Sequence, residues 1–381
     1  MTDTSHAASV SWPAVKFPTF EMERMQSVWE HKVKYDLSES GVEPLTLAEA
    51  ARDVNELLKT RLGYAEGVGL ESTRAFVAEF HWKSTAENVV ITTGTSEANF
   101  LAMLALVNAG DEVVVVMPNY MQVHGTALGL GARVREVWLR EEQGWRIDLD
   151  ALGAAVNAKT KMICVCTPNN PTAQALSSRE VDEVAKIAAR HGAWILADEV
   201  YRGAERDGVE SASFSGRGER IIVTGGLSKA YGLPGLRIGW LVAPVEQAQA
   251  TLRLKDYTTI APASVSEVLA DIALERRPKL LERTRFLLNE KWPALEDWAQ
   301  THSRELHWTP PVAGAICFFS YRYPMDSMPL VDRLIHDYST MVVPGIHFKT
   351  ERHLRIGFGG PSSHLHAGLA ALDRLLASIG D

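Results

Sequence analysis

The chain has 381 residues, of which 46% are hydrophobic and 23% are charged, and its formal net charge is -8. This is the composition of an ordinary globular protein long enough for two domains, and a core of this size needs neither disulfides nor metal. The acidic balance argues against nucleic acid and anionic membranes as partners, and no apolar run is long enough to span a bilayer.

The N-terminal stretch MTDTSHAASVSW carries no signal-peptide pattern, which favours a cytoplasmic location. The following residues look irregular, apart from a short helix in FEMERMQSVWEHK, and the loop YDLSESGVEPLTL comes next. A regular alternation then begins. The stretch LAEAARDVNELLKTRL has helical apolar spacing, ENVVITTG is typical of a strand, and TSEANFLAMLALVNAG predicts a helix that ends at Gly110.

The alternation continues with the predicted helices HGTALGLGA and DEVAKIAARH and with the predicted strands DEVVVVMP, ARVREVWL, MICVCTP, AWILADE and RIIVTGGLS. Short apolar strands alternating with helices predict an α/β fold with a mostly parallel sheet. The long helical run SVSEVLADIALERRPKLLERTRFLLNEKWPALEDWAQTH interrupts this order and precedes AICFFSYRY and the last helix, HLHAGLAALDRLLASI. We therefore expect a large domain over residues 46–260 and a smaller α+β domain formed by residues 1–45 and 261–381.

The three cysteines do not form a recognisable framework. Cys164 and Cys166 are two apart in an apolar strand, and Cys317 stands alone. This spacing matches neither a disulfide scaffold nor a zinc site, so we expect buried free thiols and no metal.

Polar residues follow each predicted strand of the large domain. In chain order they are TTGTSEAN, MPNY, TPNNPTA, DEVY and GGLSK. Taken singly, each has a structural explanation as a helix cap, a turn, an ion pair or a core ring. Ligands, however, collect at the carboxyl ends of parallel strands. Together, an anion-binding helix start, an aromatic ring, an amide, a carboxylate and a lysine suit a flat, phosphorylated, nitrogen-containing ring.

This set and its order resemble the class I/II aminotransferases, which are fold-type I enzymes that use pyridoxal 5'-phosphate (PLP). The resemblance runs from about Tyr35 to Arg355. It implies a large domain with a mostly parallel seven-stranded sheet between helices, plus a smaller α+β domain. It also implies PLP as cofactor, an amino acid and a 2-oxo acid as substrates, and a homodimer with shared active sites.

The resemblance assigns roles around the ring of the cofactor. Lys229 stands where the family has its Schiff-base lysine, and we expect its pKa to be lowered so that it is nucleophilic. Asp198 matches the carboxylate that pairs with the pyridinium nitrogen. Tyr201 and Asn170 match donors to the phenolic oxygen, and Tyr120 matches the aromatic residue that stacks on the ring.

The resemblance also assigns the phosphate and carboxylate sites. Backbone N–H groups at Thr95 and Ser96 open a helix and suit an anion, Ser228 adds a hydroxyl, and Arg237 matches the phosphate-binding arginine. Tyr64 matches a residue that reaches the phosphate of the partner subunit. Arg355 matches the arginine that binds the substrate α-carboxylate, with Asn170 beside it.

Three positions depart from the common family pattern. Ala173 replaces the glycine that usually follows Asn-Pro-Thr, Gly226 stands where serine is frequent, and Thr73 replaces a leucine. None of them touches the ring chemistry, and the first two affect the shape of the phosphate loop.

The segment LSESGVEPLTL occupies the place of a glycine-rich stretch that covers the substrate in many members, and Gly41 and Glu39 are its candidate substrate residues. Glu39 is either part of a solvated loop or cap, or a carboxylate that faces the substrate and favours a basic or ammonium-like group. LSESGV and HFKTERHLRIGFG are also similar to the capreomycidine synthase-like subgroup. A glutamate in a similar loop occurs in aminocyclopropane-carboxylate synthases. Further candidates for the side-chain pocket are Tyr35, His124, Arg202 and His347.

The implied function is PLP-dependent transamination, in which Lys229 moves a proton at the substrate Cα as general base and acid. The alternative within the same chemistry is elimination, replacement or cyclisation of an amino acid, which uses the same residues. Two other classes fit less well. A non-enzymatic PLP-fold module would not need Lys229, and a dinucleotide enzyme would carry G-x-G-x-x-G after its first strand.

Overall fold

The computed structural model describes residues 17–380. The N-terminal elements are α1 (Glu21–Trp29), β1 (Tyr35–Asp36), α2 (Leu47–Ala50), α3 (Val54–Leu57) and α4 (Glu71–Glu79). The central elements are β2 (Val89–Thr92), α5 (Thr95–Leu106), β3 (Glu112–Met117), α6 (Gln122–Gly129), β4 (Arg133–Trp138), α7 (Leu149–Ala155), β5 (Thr160–Cys166), α8 (Ser178–His191), β6 (Trp194–Asp198), β7 (Ile221–Gly226), β8 (Gly239–Val242) and α9 (Val245–Lys255). The C-terminal elements are α10 (Ser264–Glu275), α11 (Arg277–Thr301), β9 (Leu306–Trp308), β10 (Ile316–Tyr321), α12 (Ser327–Tyr338), β11 (Thr340–Met341), β12 (Val343–Pro344), β13 (His353–Gly357) and α13 (Ser362–Gly380).

The central strands form one seven-stranded sheet in the order β2-β8-β7-β6-β5-β3-β4. All neighbouring strands are parallel except β8, which is antiparallel to both β2 and β7. The prediction of a mostly parallel seven-stranded sheet is therefore confirmed. The sequence pattern did not predict β8, because this strand has only four residues and follows directly on the glycine-rich stretch around Lys229.

The sheet is buried on both faces, which explains its continuous apolar strands. In β3, Val113, Val115 and Met117 pack into one hydrophobic cluster, whereas Val114 and Val116 pack into the cluster on the opposite face. Alternate residues of a strand point to opposite faces, so a run of valines serves both layers of helices.

The parallel register brings the polar strand ends together. Cys166 at the end of β5 pairs with Asp198 at the end of β6, and Asp198 pairs with Thr224 near the end of β7. The segments TPNNPTA, DEVY and GGLSK therefore leave the sheet side by side at one edge.

The C-terminal elements form a second sheet, with strand order β12-β13-β10-β9. The N-terminal segment is attached to this part, because β1 pairs in parallel with β11 and Gly357 N donates to Leu37 O at 2.7 Å. The division at residues 45 and 260 stays a prediction, and residues 1–16 of the predicted small domain lie outside the described part.

Three predicted helices differ from the structure. The long helix over 47–62 is replaced by the short helices α2 and α3, because Ala51 is extended and the Asp53 carboxylate accepts from Asn55 N at 2.8 Å, starting a new turn. Helix α5 ends at Leu106 rather than Gly110, because Asp111 caps the following turn by accepting from Asn108 N. The long C-terminal run breaks at Arg276 into α10 and α11.

Candidate active site

A cavity of about 290 Å³ lies at the carboxyl edge of β5, β6 and β7. Its lining includes most of the residues predicted from the sequence: Glu39, Thr95, Ser96, Tyr120, Asn170, Asp198, Tyr201, Ser228, Lys229, Arg237 and Arg355. It also includes residues that the sequence did not predict: Met22, Glu23, Gln26, Ser27, Glu30, Ser40, Asn99, Cys166, Val200 and Pro234. The fold thus brings the separated polar segments into one site.

Lys229 and Glu39 form an ion pair in this cavity, with 2.7 Å between Nζ and Oε1. The same Oε1 accepts hydrogen bonds from the backbone N–H groups of Ser40 at 2.9 Å and Gly41 at 2.7 Å. Burial opposes ionisation of Glu39, but Lys229 and these donors lower its pKa to about 2. Glu39 is therefore ionised, and within residues 17–380 its other oxygen, Oε2, has no hydrogen-bond partner.

The same contact corrects the expected pKa of Lys229. Burial favours the neutral amine, yet Glu39 and Tyr201 raise the pKa of Lys229 above its ordinary value. The prediction of a lowered pKa is wrong for this arrangement, because the nearest charged group is a carboxylate from the N-terminal loop.

Gly41 lies against the lysine segment rather than in the cavity lining. A Cβ atom at Gly41 would lie 3.3 Å from Ser228 O and 3.6 Å from the Cδ atom of Lys229. The first of these contacts is tighter than most, so glycine allows this loop to approach Lys229 closely.

Asp198 is a buried carboxylate held by two donors. Its Oδ2 accepts from Asn99 Nδ2 at 2.8 Å, and its Oδ1 accepts from Val200 N at 3.1 Å. Thr224 Oγ1 donates to Asn99 Oδ1 at 2.7 Å, which orients the amide toward Asp198. Burial nevertheless raises the pKa of Asp198 above its ordinary value. A cation placed against this carboxylate would stabilise its ionised form.

The opposite wall of the cavity contains the predicted donors to the ring and to the substrate. Tyr201 donates its hydroxyl to Ser40 Oγ at 2.9 Å. Arg355 is 1% exposed and donates to Asn170 Oδ1 at 2.8 Å and to the Ser38 carbonyl. The Nε atom of Arg355 is buried and has no partner among the described residues. A planar guanidinium with an unused donor suits an incoming carboxylate.

The remaining end of the cavity is built to hold an anion. Gly94 has φ +79° and precedes Thr95, the first residue of α5. The backbone N–H groups at the start of this helix, those of Thr95 and Ser96, are therefore available to an anion. A Cβ atom at Gly94 would lie 2.4 Å from Nη2 of Arg237, so the guanidinium lies directly against the helix start. The helix dipole and a positive side chain converge here.

The glycine at position 226 has a steric reason. A Cβ atom there would lie 2.5 Å from Thr95 Oγ1 and 3.0 Å from Ile238 O, so a serine would collide. The hydroxyl of Thr95 is already engaged, since it donates to Gly225 O at 2.8 Å. The glycine at position 226 therefore leaves room for the side chain of Thr95, the first residue of α5.

The other two departures are accommodated locally. Ala173 has φ +57°, a left-handed conformation that favours the glycine usual in the family. It is buried, and its N–H donates to Asn169 O at 2.8 Å, which holds the turn. Thr73 is buried, and its hydroxyl donates to Asp271 Oδ1 at 3.2 Å, so the buried polar group has a partner.

Helix α1 forms a wall of the cavity that the sequence did not predict. Tyr120 donates its hydroxyl to Glu23 Oε1 at 2.7 Å, and its ring centroid lies 4.9 Å from that of Phe20. Glu23 and Glu30 both line the cavity. They are seven residues apart and therefore share one face of the helix. This spacing was the sequence signal that could have predicted their place in the site.

Several predicted residues lie outside the cavity. Tyr64 is 91% exposed and lines a separate groove that includes Arg237. Tyr35, His124, Arg202 and His347 do not line the active-site cavity, and their role in shaping a side-chain pocket stays a prediction. His124 pairs instead with Glu136, Arg202 pairs with Glu210, Tyr35 packs against His364, and His347 is half-buried among residues of the adjoining groove.

The cysteines are buried free thiols, as predicted. In the described range 17–380, no cluster of His, Cys, Asp and Glu side chains has the arrangement of a metal site. The helices in that range are too short or too polar to cross a membrane.

Comparison with known proteins agrees with this geometry. The family model "Aminotransferase class I and II" matches residues 34–372, and the chain belongs to this family. It is 33% identical over 353 residues to capreomycidine synthase of Streptomyces vinaceus, covering 91% of each protein. A PLP-dependent aminotransferase structure from Streptococcus suis 89-1591 matches with a TM-score of 0.90 and 29% identity, covering 96% of this chain and 99% of that one. The structure of the PLP-dependent cyclase OrfR matches with a TM-score of 0.88 and 27% identity, covering 97% of this chain and 100% of that one.

The fold is therefore that of the fold-type I PLP-dependent enzymes, and the cofactor is pyridoxal 5'-phosphate. The residues present fit this group. Arg237 and the start of α5 form a cationic cradle that a side chain at Gly94 would fill. Asp198 is a buried carboxylate suited to a protonated ring nitrogen, and Lys229 extends its amine into the same cavity.

Proposed function

We propose that this protein catalyses PLP-dependent transamination, moving an amino group between an α-amino acid and a 2-oxo acid. The observation that carries the proposal is the single cavity that contains Lys229, Asp198 and the buried guanidinium of Arg355. These groups suit, respectively, an aldehyde, a ring nitrogen and an α-carboxylate. The similarity to a PLP-dependent aminotransferase supports the same reaction.

When bound, PLP supplies an aldehyde that links to amines and a ring that withdraws electrons from the attached carbon. Lys229 would hold the cofactor and, once displaced by the substrate amine, would take the proton from the substrate Cα and return it as a general acid. Asp198 would keep the ring nitrogen protonated. Tyr201 and Asn170 would donate to the phenolic oxygen, and Arg355 would fix the α-carboxylate so that the Cα proton faces Lys229.

The phosphate would be held by the anion-binding end of the cavity. Backbone N–H groups at Thr95 and Ser96 and the side chains of Ser228 and Arg237 provide donors there. Tyr120 would pack against the ring, and its hydrogen bond to Glu23 would fix its orientation.

We further propose that the amino donor has a cationic side chain. Glu39 is ionised, one of its oxygens is fixed by backbone donors, and the other has no hydrogen-bond partner among residues 17–380. Glu23 and Glu30 add negative charge to the same cavity. A pKa of about 2 makes Glu39 a weak base, so its chemistry is that of a charge partner rather than of a proton acceptor.

A second candidate is cyclisation, elimination or replacement at the side chain of an amino acid. It is supported by the similarity to two proteins named as a capreomycidine synthase and a PLP-dependent cyclase. Both reactions begin with loss of the Cα proton, so the residues above serve either one.

We also propose a homodimer with shared active sites. Tyr64 and Leu62 are 91% and 85% exposed, and they line a groove that includes the phosphate-binding candidate Arg237. Exposed apolar side chains around a functional groove are typical of an interaction surface. A second copy of the chain would supply its Tyr64 to this groove. A cytoplasmic location stays a prediction.

The deciding experiment is a half-reaction without an acceptor. The PLP enzyme is mixed with single amino acids, basic and neutral, and the cofactor is followed by absorbance and by mass spectrometry. Transamination predicts stoichiometric pyridoxamine phosphate and one equivalent of 2-oxo acid. Formation of ammonia or a cyclic amino acid, with the cofactor remaining as PLP, would replace this proposal with the second candidate.

A further inference from the structure

Lys255, the last residue of α9, is completely buried and lies outside the active-site cavity. Its Nζ donates to Gly67 O at 2.6 Å and to Ile260 O at 3.4 Å. Burial lowers the pKa of Lys255, while the carboxylates of Glu97 and Glu267 act to raise it. A buried ammonium is costly unless it is hydrogen-bonded, so a specific contact must justify its presence here.

The contact with Ile260 holds a strained residue. Ile260 has φ +64°, a left-handed conformation that is exceptional for a β-branched residue. Its N–H donates to Lys255 O at 3.1 Å, and its carbonyl accepts from the ammonium of the same lysine. The Ile260 side chain is 51% exposed, so core packing does not account for the conformation. Such strain persists where the surroundings impose it, and at functional sites it serves a purpose.

The two loops joined by Lys255 form the groove beside the anion-binding end of the cavity. Loop 62–67 supplies Leu62 and Tyr64, and loop 256–263 supplies Thr259 and Pro262. The loops are in direct contact, since a Cβ atom at Gly67 would lie 3.2 Å from Ile260 O. Lys255 therefore determines the spacing of the two walls.

Loop 256–263 is also connected to helix α5. The hydroxyls of Thr258 and Thr259 both donate to Glu97 Oε1, and Thr93 N donates to Glu97 Oε2 at 2.6 Å. Glu97 lies in the first turn of α5, whose start forms the anion-binding end of the cavity. A displacement of loop 256–263 would therefore reach the phosphate site.

We propose that Lys255 is a positioning residue that clamps loop 256–263 to loop 62–67 and so shapes the surface through which a second copy of the chain completes the phosphate site. The inference rests on the proposed dimer with shared sites. The groove accordingly binds loop 62–67 of the partner subunit, and the exposed apolar side chains of both loops provide the contact surface.

The test uses Lys255→Met, which keeps the apolar stem and removes the ammonium. Dimer dissociation is measured by sedimentation velocity over a dilution series, and PLP affinity is measured by absorbance titration of the apoenzyme. Both dissociation constants should rise at least tenfold. Arg253→Met is the matched control, because Arg253 is an exposed cation of the same helix with no hydrogen bond in the described range.

Rescue separates this role from general destabilisation. Adding Ile260→Gly to Lys255→Met removes the steric penalty of the left-handed conformation and should restore most of the lost dimer and PLP affinity. If Lys255→Met does not fold, Lys255→Gln, which keeps a shorter uncharged donor, is compared with wild type in the same two measurements. A dimeric wild type whose Lys255 variants keep wild-type affinities, or a double variant without rescue, would overturn the inference. A wild type that binds PLP as a monomer would instead overturn the proposed shared site.

Discussion

The Nζ atom of Lys229 lies 2.7 Å from Oε1 of Glu39, although 190 residues separate the two in the chain. The contact joins the lysine that would carry the cofactor to a loop that is fixed to the C-terminal sheet. It has two consequences, because it changes the protonation of Lys229 and leaves a charged oxygen of Glu39 available to the substrate.

The first prediction concerns the nucleophilicity of Lys229. Glu39 raises the pKa of Lys229, and only the neutral amine attacks an aldehyde. Glu39→Gln should therefore shift the pH dependence of PLP incorporation into the apoenzyme to lower pH. The measurement is the rate of appearance of the imine absorbance between pH 6 and 9. Glu43→Gln is the control, because Glu43 lies in the same segment and pairs with Lys291 instead. Equal profiles for all three proteins would show that the ion pair does not control Lys229.

The second prediction concerns substrate choice. Glu39→Gln should lower kcat/KM for arginine relative to leucine by about tenfold or more, the worth of one hydrogen bond to a charged group. The ratio of the two donors removes the common effect of the variant on Lys229. Glu43→Gln should leave the ratio unchanged. If both donors lose activity in proportion in Glu39→Gln, Glu39 does not recognise a cationic side chain.

The third prediction concerns Asn99, which donates to Asp198 at 2.8 Å. Asn99→Ala removes a donor to the ionised carboxylate, raises the pKa of Asp198 and weakens its pairing with the ring nitrogen. The rate kcat should fall about tenfold for every amino donor alike. Thr224→Val, which removes only the hydroxyl that orients Asn99, should have a smaller effect in the same direction. A change confined to one donor would contradict a role exerted through the cofactor.

The fourth prediction concerns stability and pH at Glu199, next to Asp198 on the opposite face of the sheet. Burial raises the pKa of Glu199 to about 7, and its Oε2 is buried without a partner in the described part of the chain. The folded state thus binds a proton more tightly than the unfolded state, so the contribution of Glu199 to stability is full below pH 4.5 and is lost as pH rises to about 7.

Glu199→Gln removes this titration. As pH rises from 4.5 to about 7, the free energy of unfolding of wild type should fall relative to that of the variant, by at most roughly 3 kcal/mol. Urea unfolding of the apoproteins at several pH values measures it. Parallel pH curves for the two proteins would mean that Glu199 does not titrate in this window.

The sequence predicted the sheet and most of the site because both depend on local patterns. Apolar runs define the strands, and a parallel sheet necessarily brings their carboxyl ends together, so Asp198 and Lys229 had to become neighbours. Asn99 could have been included, because it lies one helical turn after Thr95 and shares its face of α5.

The remaining features depend on tertiary contacts that no local pattern encodes. Helix α1 covers the cavity through single contacts such as Tyr120 with Glu23, and Glu39 reaches Lys229 only once β1 has paired with β11. Apolar spacing predicted one helix over 47–62, but Leu58 and Leu62 are 78% and 85% exposed, so these two side chains do not pack against a core that would support such a helix.

The central claim, that Lys229 carries the cofactor, is tested most directly by borohydride reduction of the purified PLP enzyme followed by peptide mass spectrometry. We predict one phosphopyridoxyl group per chain, located on the peptide that contains Lys229. It should be absent from Lys229→Ala and retained in the exposed-lysine control Lys186→Ala. Attachment to a different lysine, or no fixed cofactor in the wild-type protein, would contradict the assignment of this site.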